Sequence, residues 1–189
     1  MNRRFTIILG LVFIGLVLLT VWQTMPSTTT PTNTTQGEPD IVLPEVFIGR
    51  EINLTVDTIQ AIRLRNPVDG SSFIMSRDSA GQWIAPENEG QLDQNMALNI
   101  ARTVVIAPIE RSEPINVGDN LTQFGFAPEG NLSIEVLRMD GSGHVIAIGG
   151  LTANEVTYYA LIDNLPRVFL LSRGAIEYLR QQLTNPPLT

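Results

Sequence analysis

Leu132 to Ile148 reads LSIEVLRMDGSGHVIAI, and this stretch decides the fold class. Leu132, Ile134 and Val136 alternate with Ser133, Glu135 and Leu137, a period of two that places one set of side chains on each face of a strand. Asp140-Gly141-Ser142-Gly143 is a tight-turn signal, because glycine adopts the backbone angles that short hairpins need. His144 to Ile148 then returns antiparallel to the first run.

The same logic extends in both directions. Upstream, Ile62 and Leu64 share one strand face and Arg63 and Arg65 the other, before the turn Asn66-Pro67-Val68-Asp69-Gly70. Ser72 to Arg77 is the partner strand, and Asp78-Ser79-Ala80-Gly81 turns the chain into a third strand carrying Trp83 and Ile84. Leu92, Met96, Ile100, Thr103 and Val104 recur at helical spacing, with Glu89 and Asp93 where acids suit a helix start. Pro108 and Pro114 limit the next segment to a short extended stretch. Asp119 and Asn120 read as caps of a turn over Leu121–Phe124.

Downstream, Thr157 to Asp163 is a strand with Tyr158 and Tyr159 on opposite faces, closed by Asp163-Asn164-Leu165-Pro166. Arg167 to Leu171 is apolar on both faces and reads as a central strand. Ser172 is placed to cap a final helix whose buried stripe is Ile176, Leu179 and Leu183, and Pro186 and Pro187 stop it. The expectation is an α+β domain over residues 41–189, mainly antiparallel, built as two meander-plus-helix units at about 45–115 and 120–185.

Ahead of that domain, Phe5 to Trp22 runs FTIILGLVFIGLVLLTVW without a charge, preceded by Arg3 and Arg4. As a helix it would be about 27 Å long, close to the roughly 30 Å hydrocarbon core of a bilayer. The two arginines predict a cytoplasmic N-terminus and an extracytoplasmic remainder. The apolar run exceeds a signal-peptide core and VWQTMPS lacks a small-x-small cleavage site, so residues 1–26 read as a retained anchor. Residues 27–40, STTTPTNTTQGEPD, are a polar linker spanning about 20 Å, which keeps the domain near the lipid.

Composition narrows the chemistry. A net charge of -7 argues against binding nucleic acid. The chain has no cysteine and one histidine, which removes thiolate chemistry and most metal sites and leads us to expect no cofactor. There is no lysine, so every cation is an arginine. His144 reads as a solvent-facing hairpin residue, and Trp83, Phe124 and Phe169 as core anchors. Gly125 and Gly149 read as points of backbone freedom at turns or bulges.

In order, Gly81-Gln82-Trp83, the helix, Phe124-Gly125-Phe126-Ala127-Pro128, an alternating strand, Ile148-Gly149, Tyr158-Tyr159-Ala160 and Val168-Phe169-Leu170-Leu171 cover most of residues 50 to 183. This pattern resembles the bacterial family called domain of unknown function 4340, although Phe124 stands where a tyrosine is common. The resemblance implies a single-pass, outward-facing, strand-rich domain, with some members encoded beside gliding-type ABC transport components. It implies no catalytic residues.

These readings lead to a non-enzymatic accessory or scaffold protein, held by lipid at its N-terminus and binding another membrane or envelope protein, with Arg63 and Arg65 as the candidate interaction surface. The alternative is a ligand- or glycan-binding envelope module stacking its ligand on Trp83 or Tyr159. A third, weaker reading is an envelope hydrolase drawing on Glu135, Asp140 and His144, which requires those groups to converge.

Overall fold

The computed structural model describes residues 46–88, 90–114, 120–126 and 130–189. The anchor and linker expectations, and the roles given to Glu89, Asp119, Ala127 and Pro128, lie outside these residues. Among the described residues no helix is long and apolar enough to cross a membrane.

Among the described residues eight strands form one antiparallel sheet: β1 (Ile59–Arg65), β2 (Ser72–Arg77), β3 (Trp83–Ile84), β4 (Ile109–Pro114), β5 (Leu132–Arg138), β6 (Gly143–Leu151), β7 (Thr157–Ile162) and β8 (Arg167–Ser172). Their spatial order is β3-β2-β1-β5-β6-β7-β8-β4. The fold class is therefore α+β and antiparallel. The two meanders share one sheet, because β1 pairs with β5 from Arg65↔Ser133 to Ile59↔Arg138. The short extended stretch between the prolines pairs with β8 and becomes the far edge. β8 is consequently flanked on both sides, but it lies next to the edge and not at the sheet's centre.

Register sorts the strand residues cleanly onto two faces. Leu64 pairs with Phe73 and Ile134, Ile62 with Met75 and Val136, Ile134 with Ile146, Ile146 with Ile162, and Ala160 with Phe169. All of these side chains are buried. Each large aliphatic among them contributes about 1.5–3 kcal/mol through burial. The cover is α2 (Gln94–Ile106) and α3 (Arg173–Thr184), with the single-turn α1 (Ile48–Glu51) packed on α2.

Local chemistry explains the helix ends. Asp93 caps α2, its Oδ1 accepting from the N–H groups of Asn95 and Met96 at 2.8 and 3.0 Å. The buried face of α2 is Ala97, Ile100, Ala101, Val104 and Val105. This corrects the expected stripe: Leu92 is buried ahead of the helix and Met96 is exposed. The alanines let α2 approach its neighbours closely, which a stripe of larger residues would prevent. Ser172 occupies the N-cap position of α3 without a capping side-chain bond. Ile176 and Leu179 are fully buried, with Leu183 partly buried. After α3 the chain zips onto the start of α2, with Leu188 bridging Leu92 and Asp93 N–H donating to Pro187 O at 2.9 Å.

The glycines of the Phe124-Gly125-Phe126 stretch and of β6 meet each other. Gly125 is left-handed, with φ +75°, and a Cβ there would lie 2.5 Å from Gly150 N. A Cβ on Gly149 would collide with the Phe124 carbonyl oxygen. Asn131 Nδ2 donates to Gly149 O at 2.6 Å where the β6–β7 register shifts. The turn Leu121–Phe124 thus seats backbone against backbone on the bulge of β6. Gly149→Ala is expected to lower stability by about 1–3 kcal/mol, a typical cost of forcing extra atoms into a packed site, measured by chemical denaturation of the full chain. Gly141→Ala also strains a left-handed residue, at φ +83°, but nothing lies within 4 Å of it, so its effect is smaller.

Candidate functional site

Both α2 and α3 lie on one side of the sheet; on the other, among the described residues, the single turn Leu121–Phe124 packs on β6. Arg63 pairs with Ile74 and Glu135, Arg65 with Ser72 and Ser133, and Glu135 with Val145. Arg63 and Arg65 therefore do share this open face. Arg63 Nη1 donates to Glu135 Oε2 at 3.1 Å, and both side chains are well exposed. Such a pair contributes about 0–1 kcal/mol and does not hold the strands together. Arg65 has no ion-pair or hydrogen-bond partner among the described residues.

Around these charges the face is apolar. Leu137, Val145 and Ile84 are 45, 48 and 40 % exposed. A groove of about 470 Å³ runs over Ala61, Arg63, Ile74, Glu135, Leu137 and Val145. It continues past Arg63 and Ile74 into a hollow of about 230 Å³ lined by Arg65, Gly70, Ser72 and Glu87. Polar and apolar surface thus alternate along one continuous track.

Tyr159 also faces outward, half-buried, with its ring centroid 5.0 Å from that of Phe124 at 58°. The pair borders a cleft of about 300 Å³ with Pro114, Val168, Leu170 and the mutually paired Arg111 and Glu113. Phe124 is therefore a partly exposed wall and not a fully buried core anchor. Trp83 is not an available stacking platform: it is 4 % exposed, and the Arg77 guanidinium lies 4.3 Å over its ring. Arg77 also donates to Ile59 O and Gly81 O, while Gln94 bonds both Trp83 backbone groups. Those contacts tie β3 to the domain and make Trp83 structural.

Glu135, Asp140 and His144 do not converge. Glu135 points outward to Arg63. Asp140 closes the β5–β6 turn, and its carboxyl is held below the ordinary carboxylate range chiefly by hydrogen bonds from the Ser142 hydroxyl and N–H, with Arg138 adding a smaller pull. Asp69 repeats the device through Ser71 in the β1–β2 turn. A carboxyl so stabilised as its anion is a poor general acid.

His144 departs from the solvent-facing expectation. Its side chain is 16 % exposed, on the helix-covered side beside Val136. Nδ1–H donates to Asp163 Oδ2 at 2.7 Å, and Asp163 Oδ1 accepts from Val145 N–H at 2.7 Å. Asp163 holds this position with φ +48°, a left-handed angle uncommon for aspartate. The sequence places Asp163 at the end of the strand and the start of its turn; extending the β6–β7 register past Ile146↔Ile162 shows it reaching Val145. Among the described residues no three histidine or acidic side chains gather as a metal site.

Compared with protein-family models, curated proteins and solved structures, the chain matches none of them.

Tyr158 faces inward, where its hydroxyl donates to Glu177 Oε1 at 2.5 Å and accepts from Arg180 at 3.1 Å. Burial, and then the Glu177 hydrogen bond, push its pKa above the ordinary 10.0, against a smaller opposing pull from Arg180. Burial raises Tyr178 as well. The folded state therefore favours the neutral phenols. Their stability contribution is complete below about pH 10 and falls as pH rises through their folded pKa values. Alkaline titration followed by phenolate absorbance should show both ionising later than an unfolded control, and Tyr158→Phe should remove one late step.

Proposed function

We propose that this chain is a single-pass membrane-anchored accessory or scaffold protein, whose α+β domain faces out of the cell and binds another envelope protein through the open face of its sheet. The observation that carries this reading is the exposed track of Leu137, Val145, Arg63 and Arg65, with Ile84 on the same face, which α2 and α3 leave uncovered among the described residues. An exposed apolar patch bordered by arginine suits a protein interface. The sheet's edges suit one less well. β4 carries Glu110, Arg111, Glu113 and Pro114 and a register shift, features that discourage strand addition. The opposite edge, β3, is occupied by the Gln94 side-chain amide.

The uncharged run Phe5 to Trp22 and the short linker support placing the face near a membrane. The motif order that resembles domain of unknown function 4340 supports a partner within an ABC-type transport complex. A second reading, a ligand- or glycan-binding module, draws on the cleft beside Phe124 and Tyr159.

A photo-reactive residue at Val145 in native membranes should cross-link to a discrete partner, whereas one at Val68, exposed on the β1–β2 turn, should not. Combining Val145 labelling with Arg63→Ala and Arg65→Ala should weaken the adduct. Equal labelling from both positions, or none from Val145, would falsify the partner reading.

A further inference from the structure

The open groove is apolar at one end and presents, at the other, the Arg65 guanidinium, which has no partner among the described residues. We propose that it receives an extended segment of a partner protein, with apolar side chains at alternate positions and an acidic residue where the segment reaches Arg65. This rests on the partner-binding reading and specifies the chemistry that the partner must present.

Charge selects the occupant. The chain as a whole carries -7, so an acidic segment is repelled by most of its surface. The open face is locally neutral by contrast, with Arg63, Arg65 and Arg111 on its strands against Glu135, Glu113 and the hollow-lining Glu87. Arg111 is occupied by Glu113 and Arg63 by Glu135. Arg65 alone of the three has its whole guanidinium fork free for a carboxylate, a geometry suited to bidentate bonding. Glu87 stands on another wall of the same hollow and confines an incoming carboxylate to the Arg65 side.

Shape selects an extended segment. From Ala61 to Arg65 the outward positions of β1 span about 13 Å, the length of roughly four residues of strand. Leu137 offers apolar contact beside Ala61 at the start of this track, Ile74 and, beyond Glu135, Val145 flank Arg63 in its middle, and Ser72 places a hydroxyl beside Arg65 at its end. Alternate side chains of an extended segment point to the same side and can follow these steps. Among the described residues α2 and α3 both pack on the other side of the sheet, which leaves room for the segment to lie flat.

The test uses the full chain in zwitterionic nanodiscs and fluorescein-labelled synthetic peptides that alternate valine with threonine. One peptide carries two glutamates at its N-terminal end, another at its C-terminal end, and matched controls carry glutamine. One acidic peptide is expected to bind roughly tenfold more tightly than its glutamine control. Arg65→Glu and Arg65→Gln should erase that preference, Glu87→Gln should increase it, and the exposed α2 variant Arg102→Glu should leave it intact. Equal binding of acidic and glutamine peptides overturns the assignment, as does an equal loss with Arg102→Glu. Arg65-dependent binding of phosphatidylglycerol vesicles without peptide binding overturns it in favour of a lipid surface. Arg65-dependent self-association overturns it in favour of a second copy. A retained Val145 cross-link without acid-dependent peptide binding removes this assignment alone; acid-dependent binding without that cross-link supports it and removes the membrane-partner reading.

Discussion

The ladder between Ile59–Arg65 and Leu132–Arg138 is the constraint on which the rest of the structure depends. Either meander alone would have a bare edge and half a core. Joining them at β1 and β5 sets Ile62 beside Val136 and Leu64 beside Ile134, all buried, at the middle of one apolar surface. Burial on that surface, and not the exposed Arg63–Glu135 pair, makes the junction stable.

One-sidedness is a consequence of this junction. Once the two meanders share a surface, the helices that come after each of them can cover it from the same side. α3 contacts β1 and β2 from the first meander as well as β7 and β8 from the second. On the opposite surface, among the described residues, the turn Leu121–Phe124 packs at one place, admitted by the glycines of β6. An antiparallel sheet tolerates such a solvated face. Here that face also carries large apolar side chains and a free guanidinium, and the functional proposal grows from this combination.

The local grammar was legible in the residues. Asp69-Gly70-Ser71 and Asp140-Gly141-Ser142 close two hairpins by the same aspartate-to-serine hydrogen bonds, and alternation assigned Arg63 and Arg65 to the outward side. Long-range pairing could not be read. Nothing near Pro108 or Pro114 announces β8 as the partner of β4, since the contact spans distant parts of the chain and either strand alone only requires some neighbour. The same limit applies to individual side chains. Trp83 reads as a core anchor with stacking as the alternative, and its burial under Arg77 agrees with the anchor. His144 reads as exposed until Asp163 is folded against it. The Arg65 surface was nominated by alternation, but its freedom from a partner became visible only when Glu135 was found on Arg63.

Carbene footprinting of the full chain, in nanodiscs and in the native membrane proposed to hold it, tests the central claim most directly: one face of the sheet is buried by helices and the other, we propose, is kept for a partner. In nanodiscs, Leu137 and Val145 should label strongly and Ile134 and Ile146 scarcely at all. In the native membrane, labelling of Leu137 and Val145 should fall while Val68 stays unchanged. Comparable labelling of both faces in nanodiscs, or outward labels unaltered in the native membrane, would contradict the account.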